Sequence, residues 1–145
     1  MLPDVNVLVA AFRADHPHHK VAADWLKRTL KNPKDGQHLA LPMQVVSGFL
    51  RLVTHSKIFP NPATAEQAVD FVDWLLEDAH VQVPTSASEW ANFRGLVLKK
   101  QLAANQIPDA HLASLAMSLG EPFVTFDKGF RQLLPPSLLV VLSPA

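Results

Sequence analysis

PDAHLASLAMSLGEPFVTF, residues 108–126, is the stretch that decides the fold. Residues 108–119 predict a helix, and the following Gly120 is the residue type that most often ends a helix in a left-handed conformation. Residues 122–126 form a short apolar segment between turn signals, which predicts a buried strand. A helix that leads directly into such a strand is typical of an α/β protein with a parallel sheet.

The rest of the chain continues this alternation of short apolar segments and amphipathic helical segments. Further strands are predicted at residues 1–4, 38–41, 80–83 and 138–142. Pro3 favours a sheet edge or a strand end for the first of these. Helices are predicted at residues 6–13 and 18–31, followed by a polar loop at 32–36. Three more helices are predicted: one that begins at Pro42, one at 65–77 with Thr64 as its N-cap, and one that begins at Ser86 or Ser88. The predicted fold class is α/β, a three-layer α/β/α sandwich with a mostly parallel central sheet, in one domain at residues 1–145.

Two expectations concern the apolar faces of the helices. The helix at residues 65–77 is expected to bury Val69, Val72 and Leu76, which follow a helical period. The three tryptophans, Trp25, Trp74 and Trp90, lie at the spacing of core positions in their helices. Because a base-stacking surface needs exposed aromatic rings, we do not predict one.

Composition excludes several classes of protein. No apolar run approaches the roughly 18 residues of a membrane span, and the N-terminus does not show the basic-then-apolar pattern of a signal segment, so a cytoplasmic protein is expected. The chain has no cysteine, so any metal must be held by oxygen or imidazole ligands. The net charge is zero, but residues 58–93 contain six acids and no Lys or Arg. A polyanion is therefore expected to meet the two ends of the chain rather than its middle.

Three aspartates are predicted to meet at one edge of the sheet. Asp4 ends the first strand and Asp127 follows the strand at residues 122–126, so both belong to the carboxyl edge, where ligands of parallel sheets bind. Asp109 begins the helix that runs antiparallel into that strand, which places it at the same edge. Asn6 is close enough to Asp4 to join them. Such a set of carboxylates attracts Mg²⁺ or Mn²⁺, the hard cations that phosphodiester hydrolysis uses.

Each of these residues also has a purely structural interpretation. Asp109 could only stabilise the positive end of its helix, and Asp127 could only open a turn. His16, His18 and His19 crowd one helix start, where a solvated helix end is favoured over a zinc site. Four basic residues flank the acidic positions and are candidates for contacts with RNA phosphates, although Arg51 could equally anchor a neighbouring acid: Arg13, Arg51, Lys128 and Arg131.

Four segments in order resemble PIN domains, and most of all the VapC-type toxins of the mycobacterial-type branch. They are DVNVLVAAF at residues 4–12, GFLRLVT at 48–54, PDAHLASLA at 108–116 and VTFDKGF at 124–130. The resemblance implies an endoribonuclease that depends on Mg²⁺ or Mn²⁺ and cleaves structured RNA, tRNA or rRNA. It also implies a homodimer and a VapB-type antitoxin that inhibits it. By resemblance, the metal ligands are Asp4, Asp109 and Asp127, and Asn6 is the polar residue that follows the first of them.

One position departs from the family pattern. The family usually has a glutamate three residues before an arginine on the third helix, but here Gly48 stands three residues before Arg51. Glycine inside a helix costs about 1 kcal/mol relative to alanine, so close packing or a widened metal site is expected there. With one carboxylate fewer, we expect one metal to bind well and a second to bind only together with substrate phosphate.

Three functions remain open at this stage. The first is an RNA-cleaving toxin whose antitoxin binds an apolar groove beside the acidic middle of the chain. The second is a catalytically weakened PIN module that binds RNA or protein without cutting, which Gly48 favours. The third is a phosphoryl-transfer domain, but a phosphatase of that kind needs paired acids around the first strand, and Asp4-Val5-Asn6 supplies one.

Overall fold

The computed structural model describes residues 1–31, 38–86 and 88–143, so the loop predicted at residues 32–36 lies outside the described residues. The strands are β1 (Leu2–Pro3), β2 (Leu39–Ala40), β3 (Val81–Gln82), β4 (Phe123–Thr125) and β5 (Leu139–Val141). The helices are α1 (Val5–Phe12), α2 (His19–Lys31), α3 (Met43–Val53), α4 (Ala65–Glu77), α5 (Glu89–Lys100) and α6 (Gln106–Leu119). Short 3₁₀ turns at Lys128–Gln132 and Pro136–Leu138 join β4 to β5.

Every strand pairing in the described residues is parallel, as predicted. β4 lies between β1 and β5, with Pro3 opposite Val124, and β2 pairs with β3. The Ala40 N–H donates to the Met1 carbonyl at 2.8 Å, which joins the two sheets side by side. The strand order across the molecule is therefore β3, β2, β1, β4, β5, with the first strand of the sequence at its centre.

Pro3 is tolerated inside β1 because its nitrogen faces away from the neighbouring strand β4. The N–H groups of Leu2 and Asp4, on either side of Pro3, donate to carbonyls of Pro122 and Val124 on the β4 side. In a strand, alternate backbone nitrogens face opposite neighbours, so the proline nitrogen faces away from β4 and interrupts no hydrogen bond of that ladder. The expectation of a strand end at Pro3 is confirmed, since β1 stops there.

The predicted helix ends are also confirmed where they rest on specific residue types. Thr64 caps α4, with its hydroxyl accepting from the Gln67 N–H at 3.1 Å while the Gln67 side chain accepts from the Thr64 N–H at 3.0 Å. This reciprocal capping box satisfies two backbone donors at the helix start. Gly120 ends α6 with φ of 64°, the left-handed conformation that glycine adopts without steric cost.

The helices pack in two groups around the sheet. α1 contacts α2 and α3, α3 contacts α4, and α5 packs against α6. The interior is one continuous apolar cluster whose largest fully buried rings belong to Phe49, Phe123 and Phe130. Sheet and helix groups together give the predicted α/β/α sandwich. No helix within the described ranges is long and apolar enough to cross a membrane.

Two predictions of buried side chains are wrong. In α4 the buried residues are Ala68, Val72 and Leu75, whereas Val69 is 44% exposed and Leu76 is 38% exposed. The face of α4 that contacts α3 and β3 carries Ala68, Val72 and Leu75, and it is rotated relative to the predicted face. Of the tryptophans, only Trp25 is buried, and Trp74 and Trp90 are 55% and 66% exposed. Helical spacing alone does not decide which of two apolar faces a helix buries.

Gly48 lies where α3 crosses the start of α1. A Cβ atom built at this glycine would stand 2.8 Å from Cγ2 of Val5, closer than van der Waals contact allows. The close packing expected at Gly48 is therefore present, and the neighbour is the β-branched side chain of Val5. Since Val5 directly follows Asp4, the glycine lets α3 approach the candidate site closely.

We expect Gly48→Ala to lower the free energy of unfolding by up to about 2 kcal/mol, because overpacking costs about 1–3 kcal/mol and the helix propensity gained returns about 1 kcal/mol. Val5→Ala removes the clashing methyl groups, so the double variant is expected to be at least about 1 kcal/mol more stable than the sum of the single effects. Urea unfolding of the four proteins measures this coupling. Additive single effects would contradict the close approach.

Candidate active site

Asp4 links the first strand to the first helix. It follows β1 and caps α1, with Oδ1 accepting from the Val5 N–H at 2.7 Å. Its Oδ2 accepts from the Thr125 hydroxyl at 2.7 Å. Burial raises the pKa of Asp4, the hydrogen bonds from Thr125 and Val5 oppose that effect, and the charges of Asp109 and Asp127 raise it further. The carboxylate is thus held in place by two donors in an environment that disfavours its charge.

The Thr125 hydroxyl is the polar centre of the site. Thr125 ends β4 and is fully buried. Its Oγ1 donates to Asp4, accepts from the Asp127 N–H at 2.9 Å and lies 3.4 Å from Asn6 Nδ2 as a third partner. One hydroxyl therefore connects β1, α1 and the turn after β4, and it fixes Asp4 relative to Asp127.

Asp127 and Asn6 organise the turn that leaves β4. Asp127 is exposed, and its Oδ1 accepts from the Gly129 N–H at 2.7 Å. A Cβ at Gly129 would stand 3.0 Å from that same oxygen, so glycine allows this tight turn. The Asn6 side-chain oxygen accepts from the Phe126 N–H at 3.4 Å. Asn6 thereby ties α1 to the backbone beside Asp127, in agreement with its predicted place in the group.

Asp109 reaches the same rim from α6. It lies in the first turn of this helix and is partly buried. Burial raises its pKa, and the charge of Asp127 raises it further. Since Asp109 and Asp127 also raise the pKa of Asp4, the three carboxylates form one electrostatically coupled group. The starts of α1 and α6 lie at this rim too, and helix N-termini favour anions.

The three carboxylates lie at the same rim but do not surround a common position for a metal ion. Across residues 1–31, 38–86 and 88–143, no three His, Asp or Glu side chains lie close enough together to hold a metal ion by themselves. The group is chemically suited to a hard cation, because all of its charged members are oxygen ligands. Completing a coordination shell requires water or further oxygen ligands from a bound molecule.

Comparison with known proteins agrees with this architecture. A family model described as PIN domain matches residues 1–133. The chain is 36% identical over 130 residues to VapC ribonuclease Mb2897 of Mycobacterium bovis, covering 89% of this chain and 86% of that protein. It is 34% identical over 147 residues to ribonuclease VapC25 of Mycobacterium tuberculosis, covering 93% and 98%. The crystal structure of VapBC2 from Rickettsia felis bound to a promoter DNA fragment superposes with a TM-score of 0.68 at 22% identity, covering 98% of both chains.

The chain belongs to the PIN domain family.

The third helix of this PIN domain, α3, carries no carboxylate. Gly48 occupies the place of the expected glutamate and packs against Val5 instead. The side chain that α3 directs towards α6 is Gln44, one helical turn earlier, whose Nε2 lies 3.3 Å from Nδ1 of His111. The opposite ring nitrogen of His111 bonds the Glu89 carboxylate. This chain of hydrogen bonds joins α3, α6 and α5, and the motifs alone did not indicate it.

The four basic residues predicted to contact RNA differ in their surroundings. The Arg13 guanidinium binds Asp15 through two nitrogens at 2.8 and 2.6 Å, donates to the Asn61 carbonyl and stacks 4.3 Å from the Phe59 ring centroid. These contacts favour a structural role for Arg13. Arg51, Lys128 and Arg131 are exposed and form no ion pair with any residue that the structure describes. These three remain candidates for phosphate contacts.

The three histidines at the start of α2 are not simply solvated. Nδ1 of His16 accepts from the His18 N–H at 3.0 Å, and Nδ1 of His19 lies 2.8 Å from the Ala10 carbonyl. The His18 ring packs 4.9 Å from Phe126, next to Asp127. Burial lowers the pKa of His16, and the neighbouring His18 and His19 lower it further. The group packs the start of α2 against the rim.

Sequence reasoning missed Thr125. A threonine inside an apolar strand is read as a β-branched strand former, because β-branched residues favour strands. The available signal was its position, two residues before Asp127 and at the carboxyl end of the strand. A hydroxyl there faces the rim whenever the following acid does, since side chains alternate along a strand.

We expect Thr125→Val to lower the free energy of unfolding by about 1.5–3 kcal/mol, because a charged acceptor loses its buried donor. Thr125→Ser keeps the hydroxyl and is the matched control, expected to lose less than half as much. Chemical denaturation of the metal-free proteins at pH 7 measures both. Equal losses for Val and Ser would indicate that Thr125 matters through its methyl group.

The raised pKa of Asp4 predicts the direction of a pH effect. Its folded pKa lies above the ordinary value of 3.8, so the folded state binds its proton more tightly than the unfolded state. The stabilising contribution is full below 3.8 and is lost as the pH rises through the folded pKa. In EDTA, Asp4→Asn is therefore expected to gain stability relative to the wild type between pH 4 and pH 7.

The control for this pH effect is Asp73→Asn, which removes one exposed charge on α4. It is expected to follow the wild-type pH profile. A constant difference in stability between Asp4→Asn and the wild type across this pH range would rule out the raised pKa.

Proposed function

We propose that this protein is a metal-dependent endoribonuclease toxin that cleaves structured RNA, either tRNA or rRNA. The observation that carries the proposal is the electrostatic coupling of Asp4, Asp109 and Asp127, with the Thr125 hydroxyl joining the Asp4 carboxylate to the Asp127 N–H. In its support, the protein is a PIN domain with relatives that are named VapC ribonucleases at 31–36% identity. Three acids at the carboxyl edge of a parallel sheet are suited to phosphodiester chemistry.

Mg²⁺ or Mn²⁺ is the cofactor that fits these side chains. Asp4, Asp109 and Asp127 are the residues that would hold it, and neutralising their mutual repulsion would favour its binding. Because the described acids do not enclose a point by themselves, we propose that water and an RNA phosphate complete the set of ligands. When bound, such an ion lowers the pKa of water and stabilises charge on the phosphate. One ion in the free protein and a second only with substrate agrees with the glycine at position 48.

The chain itself supplies orientation and electrostatics. The Val5 N–H and the Thr125 hydroxyl fix both oxygens of Asp4, so this carboxylate enters the reaction with little freedom to lose. The Gly129 N–H holds Oδ1 of Asp127 in place. The N-termini of α1 and α6 favour the phosphate, and we propose that the exposed Arg51, Lys128 and Arg131 contact neighbouring phosphates.

A VapB-type antitoxin is the proposed inhibitory partner. α4 exposes apolar residues, among them Val69 and Trp74, between the acids Glu66, Asp70 and Asp73. An amphipathic segment that carries arginines would complement this face in both apolarity and charge. We also expect a homodimer, as the resemblance to VapC-type toxins implies.

A PIN module that binds RNA without cutting it is the second candidate. The absence of a carboxylate at Gly48 and the separation of the three acids favour it. The two candidates differ in one respect that can be measured, because only the nuclease produces metal-dependent fragments.

The test is incubation of purified protein, freed of any partner, with total tRNA and with rRNA in Mn²⁺, Mg²⁺ or EDTA. We expect discrete fragments from the wild type in metal only, and at least about a hundredfold slower cleavage by Asp4→Asn, because one oriented carboxylate of the group is lost. Asp73→Asn on α4 is the matched control and is expected to cleave like the wild type.

Metal binding is measured separately from cleavage. Mn²⁺ is expected to raise the melting temperature of the wild type and to shift that of Asp4→Asn much less, because a ligand that binds only the folded state stabilises it. If the wild type binds RNA and Mn²⁺ but yields no fragments, the binding module replaces the nuclease.

A further inference from the structure

An aromatic face of α5 is left uncovered by the other residues that the structure describes. Trp90 is 66% exposed and Leu98 is 52% exposed, and Leu96 is the residue of this helix that is buried. Together with Phe93, Val97 and Ile107 they line a groove of about 370 Å³, with Arg94 at its border. This groove, called the α5 groove below, is a concave apolar surface with a cation beside it.

The rings beside the α5 groove form an ordered row. The centroids of Trp90 and Phe93 lie 6.0 Å apart, and those of Phe93 and His111 lie 5.1 Å apart. The His111 ring is fixed from both sides by Glu89 and Gln44. The row thus runs from an exposed indole on α5 to a fixed imidazole on α6, two residues from Asp109. Its exposed end offers the flat surface on which nucleobases stack.

Residues of α5 and α6 also line a second hollow, which contains one acid of the site. This hollow, about 690 Å³, is lined by residues that include Asp109, Lys100, Gln106 and Arg131. Leu98 and Ile107 line the groove, while Lys100 and Gln106, their close neighbours on the same two elements, line the hollow. An RNA strand with a phosphate beside Asp109 therefore has Lys100 and Arg131 next to its backbone, and the α5 groove lies on the same two helices.

Charge distinguishes RNA from other occupants of this surface. Residues 90–108 carry three cations, Arg94, Lys99 and Lys100, and no acid. The exposed Trp74 lies instead on α4, among acidic residues. Phosphates complement the first surface and are repelled by the second. The aromatic residue with cationic neighbours is the one suited to a nucleic acid.

We propose that the α5 groove is a nucleobase subsite, in which Trp90 stacks on an unpaired base while Lys100 and Arg131 contact the phosphates between that base and Asp109. The subsite rests on the proposed nuclease function and adds to it the recognition of a single-stranded or looped nucleotide. Sequence-specific proteins commonly recognise RNA at such splayed bases.

The test measures binding of a short, fluorescently labelled single-stranded RNA to Asp4→Asn protein by fluorescence anisotropy. Adding Trp90→Ala is expected to weaken binding about 5- to 150-fold, the loss that corresponds to one stacked base. Trp90→Phe keeps a ring and is expected to retain most of the affinity. Trp74→Ala removes an equally exposed indole from the acidic helix and is the matched control, with a change of less than about twofold.

An abasic substitution moved along the same RNA separates contact from structural damage. At one position, removing the base is expected to weaken binding to the Asp4→Asn protein as much as Trp90→Ala weakens binding of the intact RNA. The abasic RNA is then expected to bind the Trp90→Ala variant with no further loss of affinity. Additive losses at every position would overturn the proposal. So would equal affinities of the Trp90→Ala and Trp74→Ala variants.

Light scattering on the same variants tests the competing occupant, a second copy of this chain. If Trp90→Ala converts a dimer to a monomer and leaves RNA affinity unchanged, the α5 groove is a subunit contact and the subsite is refuted. If the wild type cuts no RNA but binding depends on Trp90 and on one base, the subsite stands and the nuclease proposal fails. The two failures are therefore distinguishable.

Discussion

The parallel pairing of β1 with β4 is the constraint on which the site depends. The Asp4 N–H donates to the Val124 carbonyl, and this register brings the Thr125 hydroxyl within 2.7 Å of the Asp4 carboxylate. A shift of one residue would turn Thr125 to the other face of the sheet and separate the two groups. Because β1 and β4 come from opposite ends of the sequence, no local interaction can form this link. The site therefore forms only when β1 pairs with β4.

The contacts that build the site also lower the stability of the fold. Burial and two neighbouring carboxylates disfavour the charge of Asp4, although the Val5 N–H and the Thr125 hydroxyl stabilise it. An apolar residue at position 4 would remove this electrostatic cost, but it would leave the Thr125 hydroxyl without its acceptor. Gly48 has a similar cost, because glycine lowers the stability of helix α3 but allows this helix to pack closely against Val5. Such local costs are expected where a rim serves chemistry rather than stability.

The sequence predicted those features that depend on one strand or one helix end. The topology placed Asp4, Asp109 and Asp127 at one rim because each stands beside a recognisable end of an element. The role of Thr125 was not predicted, since no sequence pattern distinguishes a threonine with a functional hydroxyl from one that simply favours a strand. It also gave the wrong buried face for α4, where Leu75 rather than Leu76 is buried. That choice depends on how α4 meets α3, which is a property of the packed molecule.

Arg13 illustrates the limit of reasoning from neighbouring residues. Its place after α1 suggested a contact with RNA, but its guanidinium is held by Asp15, two residues away, and by Asn61, far along the chain. The first contact is visible in the sequence as a pair of opposite charges, whereas the second requires the fold. Arg51 and Arg131 have no such partners in the described residues, so their charges are available to a ligand.

Trp74 and Trp90 show that charge, rather than exposed apolar area, distinguishes the partners of this molecule. Both indoles are more than half exposed, and each has a second aromatic ring about 6.0 Å away. Around Trp74 the helix carries acids only, while the stretch that follows Trp90 carries cations only. The apolar contribution to binding is similar at the two surfaces because it scales with buried area. The electrostatic contribution has opposite sign for a polyanion and for an arginine-rich peptide, so one chain can present a face to each.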